Sequence, residues 1–459
     1  MIYHFRKSDV IITKMDLSDY NPWWNTGGLW QDRELSRVKN SPLVYRPQVF
    51  TAADCLPATV YTLRGPRRAG KTVSLKLFVA SLIEDEGWDP RQILWSNLET
   101  TKNMGAFEAH LDALMKDQSP RLLVFDEVTS VLGWQRVIKK AVDGGRFGNT
   151  TLILTGSSAY DLKKGAERMA GRRGTYASPD RTLLPMGFAQ WKTQVEGRGV
   201  SARIEDYFIV GGFPFRVEEY LRQQGAATTL AQTTQVFDDI IAYEFNRRKL
   251  DRSIALEVLG RLAETQPHAI SYEAFSKSLS VSRETARKYL DALGDAYLLM
   301  TLSSFDTGRG RPAPRKDRKF HWIDPSLAHL ASWLGVGRGP SPEAQAEAVV
   351  GAALLRVVER QLWEGLSAPR QLFTWKSKAG SELDFLWADR SVKTRFPVEV
   401  KYQESISDWD FQSMERGFGC GLLVTKSTGR QREKSAACSL EEFLSDPQRF
   451  LSNPTRHAG

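Results

Sequence analysis

Cysteine is scarce in this sequence: Cys55, Cys420 and Cys438 are the only three in 459 residues, and no CxxC pair occurs. A disulfide framework and a structural zinc site both need closely spaced cysteine pairs, so neither is readable, and a reducing, cytoplasmic setting fits. Long apolar runs are missing too. No stretch approaches the roughly 20 apolar residues that span a bilayer, and the opening MIYHFRKSDV lacks the apolar core of a signal peptide, so the expectation is a soluble chain with no membrane partner. Nor does one sign of charge dominate: 63 Lys and Arg against 54 Asp and Glu leave a formal charge of +9. Spread evenly, that excess permits an anionic partner and predicts none; only clustering would. No internal repeat is visible. With 41% hydrophobic and 25% charged residues, the composition is that of a folded chain long enough for several domains.

What is present is alternation. From 58 to 156, short apolar runs (VYTLRG, QILWSNLE, RLLVFDE, TLILTGSS) alternate with helical patterns, the signature of an α/β domain with a parallel sheet. Between 201 and 300 strand signals fade and apolar residues recur at helical spacing, as in IALEVLGRLAET. The stretch GVGRGPSPEAQ reads as a linker, and after it a long helical pattern precedes four strand-like runs, again α/β. The expected organisation is an N-terminal segment 1–57, a nucleotide-binding domain 58–200, a mostly helical domain 201–338, an α/β domain 339–445 and a tail 446–459.

Gly65–Thr72 reads GPRRAGKT, which satisfies GxxxxGK[ST] between an apolar run and a helical pattern. By chance that pattern occurs in on the order of a few percent of chains, before the flanking strand and helix are required. The expected phosphate cradle is Gly65, Pro66, Arg67, Arg68, Ala69, Gly70, Lys71, Thr72 and Val73: glycines let backbone N–H groups close on phosphate, Lys71 reaches the β and γ phosphates, and Thr72 holds Mg²⁺. ATP and Mg²⁺ are thus the expected cofactors. LLVFDE supplies the second metal-side carboxylate, Asp126, and Glu127 is placed to orient and polarise the attacking water. Ser157, ending the next apolar run, is a candidate to sense the γ-phosphate, with helix N-capping as the competing role. Arg168, Arg172 and Arg173 follow; Arg172 or Arg173 could reach a nucleotide in a neighbouring subunit of a homo-oligomer, or belong to a solvated basic loop or a DNA contact.

SYEAFSKSLSVSRETARKYLDALGDAYLL has the layout of a helix-turn-helix, capped at Ser282, with Ala286, Tyr289, Leu290 and Leu293 inward and Arg283, Arg287 and Lys288 outward. Many helix pairs bind nothing. Here a basic run follows, with Arg309, Arg311, Arg315, Lys316, Arg318 and Lys319, which as the wing of a winged helix would contact DNA phosphates and otherwise is a solvated loop. In the last domain, ELDFLWAD and PVEVKYQ read as adjacent strands carrying Asp384, Glu399 and Lys401. Two carboxylates, Asp384 and Glu399, could bind Mg²⁺ while Lys401 assists an attacking water, with Glu347 on the preceding helix. An ExK tripeptide arises roughly once per chain of this size by chance, so the strand setting carries the signal; a salt-bridged strand pair without catalysis is the other reading.

Taken in order, NPWW (Asn21–Trp24), LRGPRRAGKT, FDEV followed by Trp134, LTGSS, AGRR, LLPMGF, GGFP, the helix-turn-helix, and ELDF with VEVKY resemble a family of bacterial and archaeal AAA-type ATPases. In that family a P-loop domain precedes a winged-helix segment and a domain of unknown function with a restriction-endonuclease-like core. The resemblance implies ATP binding by Gly65–Thr72, Mg²⁺ at Thr72 and Asp126, and Glu127 as the hydrolytic glutamate. It also sets Asp384, Glu399 and Lys401 at the positions of a PD-(D/E)xK nuclease core and Glu347 at its helix acid, although Leu383 stands where the proline of that name would be. The expected function is an ATPase that binds and remodels or processes DNA. The alternatives are a slow nucleotide-dependent switch with an inactive nuclease-like domain, and an ATP-regulated, Mg²⁺-dependent nuclease.

Overall fold

The computed structural model describes residues 14–117, 119–174, 179–225, 231–313, 315–363, 371–377, 380–388 and 395–452. They divide into two compact units, Met1–Gly65 with Gly70–Leu183, and Pro66–Ala69 with Leu184–Gly459.

The first unit is built on the parallel sheet that the alternation predicts. Its strands are β1 (Thr59–Arg64), β2 (Ile93–Asn97), β3 (Leu122–Asp126), β4 (Thr151–Thr155) and β5 (Asp180–Thr182), in the order β2-β3-β4-β1-β5 with every pair parallel. Its helices are α1 (Lys14–Tyr20), α2 (Arg33–Lys39), α3 (Lys71–Glu84), α4 (Met104–Asp117), α5 (Trp134–Asp143) and α6 (Ala159–Glu167). Strands covered on both faces read as continuous apolar runs, and β1, β3 and β4 are buried along their whole length. Trp134, Val137, Ile138 and Ala141 repeat at helical spacing, which turns one stripe of α5 into a core shared with Phe107, Phe125 and Leu154. Each such side chain contributes roughly 1.5–3 kcal/mol on burial.

NPWW, for which the sequence alone offers no role, closes the edge of this sheet. The Asn21 amide donates to the Trp95 carbonyl (2.9 Å) and accepts from the Trp95 N–H (2.6 Å), mimicking a neighbouring strand along β2. Trp23 and Trp24 donate their indole N–H groups to Ile93 O. An edge strand is thereby covered rather than left to pair with another chain.

The second unit begins with α7 (Phe188–Glu196), α8 (Ile204–Val210), α9 (Pro214–Arg222), α10 (Ala231–Arg247), α11 (Arg252–Thr265), α12 (Tyr272–Ser278) and α13 (Arg283–Asp295). A hairpin follows: β6 (Leu299–Ser303) pairs antiparallel with β9 (Arg318–Trp322), and β7 (Phe305–Asp306) with β8 (Arg311–Pro312) nearer its tip. After α14 (Leu330–Trp333) and α15 (Pro342–Trp363) come β10 (Gln371–Lys376), β11 (Glu382–Ala388), β12 (Arg395–Lys401), α16 (Gln412–Phe418), β13 (Gly421–Thr425), β14 (Arg430–Gln431), β15 (Ser435–Ser439), α17 (Leu440–Ser445) and α18 (Pro447–Ser452). The six strands lie in the order β10-β11-β12-β13-β15-β14. Strands β10 to β12 run antiparallel, whereas β12, β13 and β15 are parallel, with α16 as the crossover after β12.

β10 to β13 are the four runs read from the sequence. β15 is not among them, because SAACS is a buried strand made of small residues without a branched apolar signal. Helix α15 lies close on β6 and β11. A Cβ at Gly351 would come within 2.9 Å of both Met300 Cε and Phe385 Cε1, so a larger residue there would make those side chains shift.

Candidate functional site

The loop between β1 and α3 opens at Gly65, whose φ of 137° and approach to Leu183 O, 2.0 Å from where a Cβ would stand, admit only glycine. Pro66 O accepts from Ala69 N–H (3.4 Å), Arg67 and Arg68 lie at the loop surface, and Gly70 precedes the first turn of α3 without a side-chain cap. Uncapped N–H groups at a helix start carry partial positive charge and suit an anion. Lys71, buried, donates from Nζ to Gly65 O (3.0 Å), with Thr72 and Val73 half-buried beside it.

Thr72 Oγ1 donates to Asp126 Oδ2 (3.0 Å), bringing together the two predicted metal-side oxygens from α3 and the end of β3. Asp126 Oδ1 accepts from the Glu127 N–H (3.0 Å). Burial, reinforced by the neighbouring Glu127 carboxylate, pushes the Asp126 carboxyl up to about 6 against the hydrogen bond from Thr72. Glu127 turns out of the strand with φ 55°, and its Oε2 accepts from the Ser157 N–H (2.9 Å) at the end of β4. N-capping of α6 falls to Ser158, whose hydroxyl accepts from Asp161 N–H, and not to Ser157. Thr155 Oγ1, buried at the same strand end, has no hydrogen-bond partner among the described residues. One hydroxyl, one carboxylate and an orphaned hydroxyl fit Mg²⁺, which takes oxygen ligands and few of them from protein when phosphates supply the rest.

In the second unit, Ser282 caps α13 by accepting from Thr285 N–H, and Ala286, Tyr289, Leu290 and Leu293 are buried as the helical spacing requires. Arg283, Arg287 and Lys288 are exposed, but Arg287 pairs with Asp291 (3.2 Å) and Lys288 with Glu284 (3.1 Å) on the same helix. Arg309, Arg311, Arg315 and Lys316 are exposed on the hairpin. Arg318 and Lys319 do not join them: they are buried on β9, Arg318 against the Tyr272 ring (3.9 Å).

Lys319 Nζ lies 2.7 Å from Asp384 Oδ1, 2.9 Å from Glu347 Oε1 and 3.3 Å from Glu382 Oε1. The predicted acids do converge: Asp384 N–H donates to Glu399 Oε2 (3.2 Å), Val400 N–H to Asp384 Oδ2 (2.8 Å), and Lys401 pairs with Glu399 Oε1 (3.1 Å). Burial, then Asp384, pushes Glu399 up to about 7 and Glu347 well above the usual carboxylate range. Burial opposes the Lys319 charge, yet Asp384 and Glu347 outweigh it and hold the ammonium above lysine's ordinary range. Among the described residues no three His, Cys, Asp or Glu side chains are disposed to hold a metal ion. As arranged, these acids do not fit Mg²⁺; their counter-charge is a lysine.

Residues 58–191 match a family described as an AAA domain. The segment is an AAA domain of P-loop type. Residues 201–337 match a domain of unknown function, DUF8612. The chain is similar to an uncharacterized protein of Haemophilus influenzae, 26% identical over 291 residues that cover 59% of this chain and 69% of that one. It is similar also to an uncharacterized protein of Mycobacterium tuberculosis, 24% identical over 335 residues, 71% of this chain and 67% of that one. Among solved structures it resembles the Walker-type ATPase PABY2304 of Pyrococcus abyssi, with a TM-score of 0.42 and 14% identity over 65% of this chain and 94% of that one.

Within the AAA domain the two arginines of AGRR part company. Arg172 is half-exposed and donates to Asp143 Oδ1 (2.7 Å). Arg173 is buried, donating to Asp180 Oδ1 (2.7 Å), Val60 O (3.1 Å) and Pro179 O (3.0 Å), so it ties β1 to β5 and does not reach a neighbour. No helix of the described residues is long and apolar enough to cross a membrane. Sequence reasoning grouped Lys319 with the wing cations and missed its place among the acids, and it found no role for Asn21, whose only signal is the NPWW match.

Proposed function

We propose that the chain is an ATP-hydrolysing AAA-type ATPase that couples nucleotide turnover to DNA. The observation that carries the ATPase half is the 3.0 Å bond between Thr72 Oγ1 and Asp126 Oδ2. In this reading the α3 N–H groups and Lys71 bind the phosphates, and Thr72 and Asp126 hold Mg²⁺. Bound Mg²⁺ and ATP supply a polarised γ-phosphoryl group. Glu127 orients a water and draws its proton, while the Ser157 N–H fixes the carboxylate in place. Arg172 is the residue suited to reach a neighbouring subunit of a homo-oligomer. The DNA half draws on exposed Arg283, Arg287, Lys288, Arg309, Arg311, Arg315 and Lys316, and on the helix-turn-helix and hairpin, which support a winged-helix reading. The C-terminal sheet, with its acids at the ends of β11 and β12, supports a restriction-endonuclease-like fold.

The test is ATP hydrolysis by wild type and Glu127→Gln with single-stranded, duplex and branched DNA. Stimulation by one DNA form, lost by roughly a hundredfold or more in Glu127→Gln with nucleotide binding kept, is the expected result. A second reading, a slow nucleotide-dependent switch, is favoured by the engagement of Glu127 Oε2 with Ser157. Slow turnover indifferent to every DNA would select it.

A further inference from the structure

Lys319 comes from a hairpin strand, close in sequence to exposed Arg315 and Lys316, yet its side chain is 4% exposed. Its ammonium is ringed by carboxylate oxygens from α15 and β11, and burying it there is tolerable only because they pair with it. Three further acid oxygens are also engaged, Asp384 Oδ2 by Val400 N–H, Glu399 Oε2 by Asp384 N–H and Glu399 Oε1 by Lys401. One further group points to a cation place: His321 Nε2, 3.6 Å from Glu347 Oε1, is buried without a hydrogen-bond partner among the described residues. Glu382, the outer member of the cluster, also lines a cavity of about 250 Å³ with Lys316 and Asp317.

We propose that Lys319 is the resident cation of this cluster: its ammonium takes the place a divalent ion would take between Glu347 and Asp384, keeps Mg²⁺ out, and clasps the hairpin to the C-terminal sheet. Three carboxylates around one centre is what a hard divalent ion seeks, and a tethered ammonium at hydrogen-bond distance from three of them meets the same charge requirement without leaving the chain. With Lys319 seated, the sheet does not act as an Mg²⁺-dependent nuclease. Removing the ammonium leaves Asp384 and Glu347 without their shared cation; these side chains are not disposed around a metal as they stand, so a divalent ion takes the vacated place by drawing the two carboxylates together.

The experiment uses the full chain without nucleotide, carrying Asp126→Asn to silence the metal-side carboxylate of the AAA domain, and follows free Mn²⁺ by its EPR signal. Lys319→Met is expected to bind one Mn²⁺ more than this parent, at least roughly tenfold tighter, and to lose it when Asp384→Asn is added. A parent that already binds an Mn²⁺ removed by Asp384→Asn overturns the proposal, as does a folded Lys319→Met that gains none. If Lys319→Met fails to fold in metal-free buffer, it is expected to fold when refolded with Mn²⁺, and Lys319→Met/Glu347→Gln/Asp384→Asn to fold without it. Failure of Lys319→Met to fold in Mn²⁺ while that triple variant folds would overturn it.

Discussion

Two groups of buried acids stand at strand ends in this chain, and they are neutralised in opposite ways. At the end of β3, Asp126 is met by a hydroxyl, while the nearby Lys71 donates to the Gly65 carbonyl. On β11, Asp384 is met by the ammonium of Lys319 at 2.7 Å. Both sites bury carboxylates, so carboxylates alone do not make a metal site. What differs is the partner that the fold supplies: a neutral hydroxyl for Asp126, and a buried ammonium shared by Asp384 and Glu347 on the C-terminal sheet.

The largest effect that tests this contrast is on stability. Lys319→Met strips the compensating charge from buried Asp384 and Glu347, and removing one partner of such a pair costs about 3–5 kcal/mol. Thr72→Val removes a neutral donor from Asp126 and should cost about 1–2 kcal/mol. Urea unfolding of the nucleotide-free chain measures both; equal losses would erase the distinction.

A somewhat smaller effect is read against pH. The Asp126 carboxyl is raised to about 6 from 3.8 when folded, so the native state holds its proton more tightly than the unfolded one. Its stabilising contribution is therefore complete below about pH 4 and is lost as pH rises through about 6, a change of about 3 kcal/mol. Asp126→Asn should flatten that slope, leaving the variant more stable than wild type above pH 6 without nucleotide and little changed near pH 4. Thermal unfolding across that range checks the sign; an unchanged slope means that Asp126 is compensated within the chain after all.

How much of this was legible depends on how far apart the partners are. The P-loop, the FDE strand end and the capped helix α13 are local patterns, in which glycines, apolar runs and a serine three residues before the N–H it accepts from encode geometry within a few positions. The roles of Asn21 and Lys319 are not local. Asn21 bonds to Trp95, 74 residues on, and Lys319 to Glu347 and Asp384, 28 and 65 residues on. Periodicity cannot see such pairs, and composition misfiled Lys319 with the exposed cations of its run. β15 escaped for another reason: its burial comes from neighbours on both sides and from small side chains, which carry no apolar signal.

The smallest effect separates the lysine that the motif marks from the one that the fold uses. Lys401, the last residue of the ExK tripeptide, pairs with Glu399 Oε1 at 3.1 Å, but its side chain is 41% exposed, whereas Lys319 is 4% exposed. Water screens the outer pair and the side chain is costly to immobilise, so Lys401→Met should lower stability by less than about 1 kcal/mol. Glu399, raised to about 7 mainly by burial and Asp384, can take up a proton in that variant rather than stay charged and unpaired, which limits the loss further near neutral pH. Lys319→Met instead leaves two buried carboxylates, Asp384 and Glu347, so a proton on Glu347 relieves only part of the loss. A Lys401→Met loss as large as that of Lys319→Met, measured by the same urea titration, would mean that the outer lysine holds the cluster as firmly as the buried one and that burial does not set them apart.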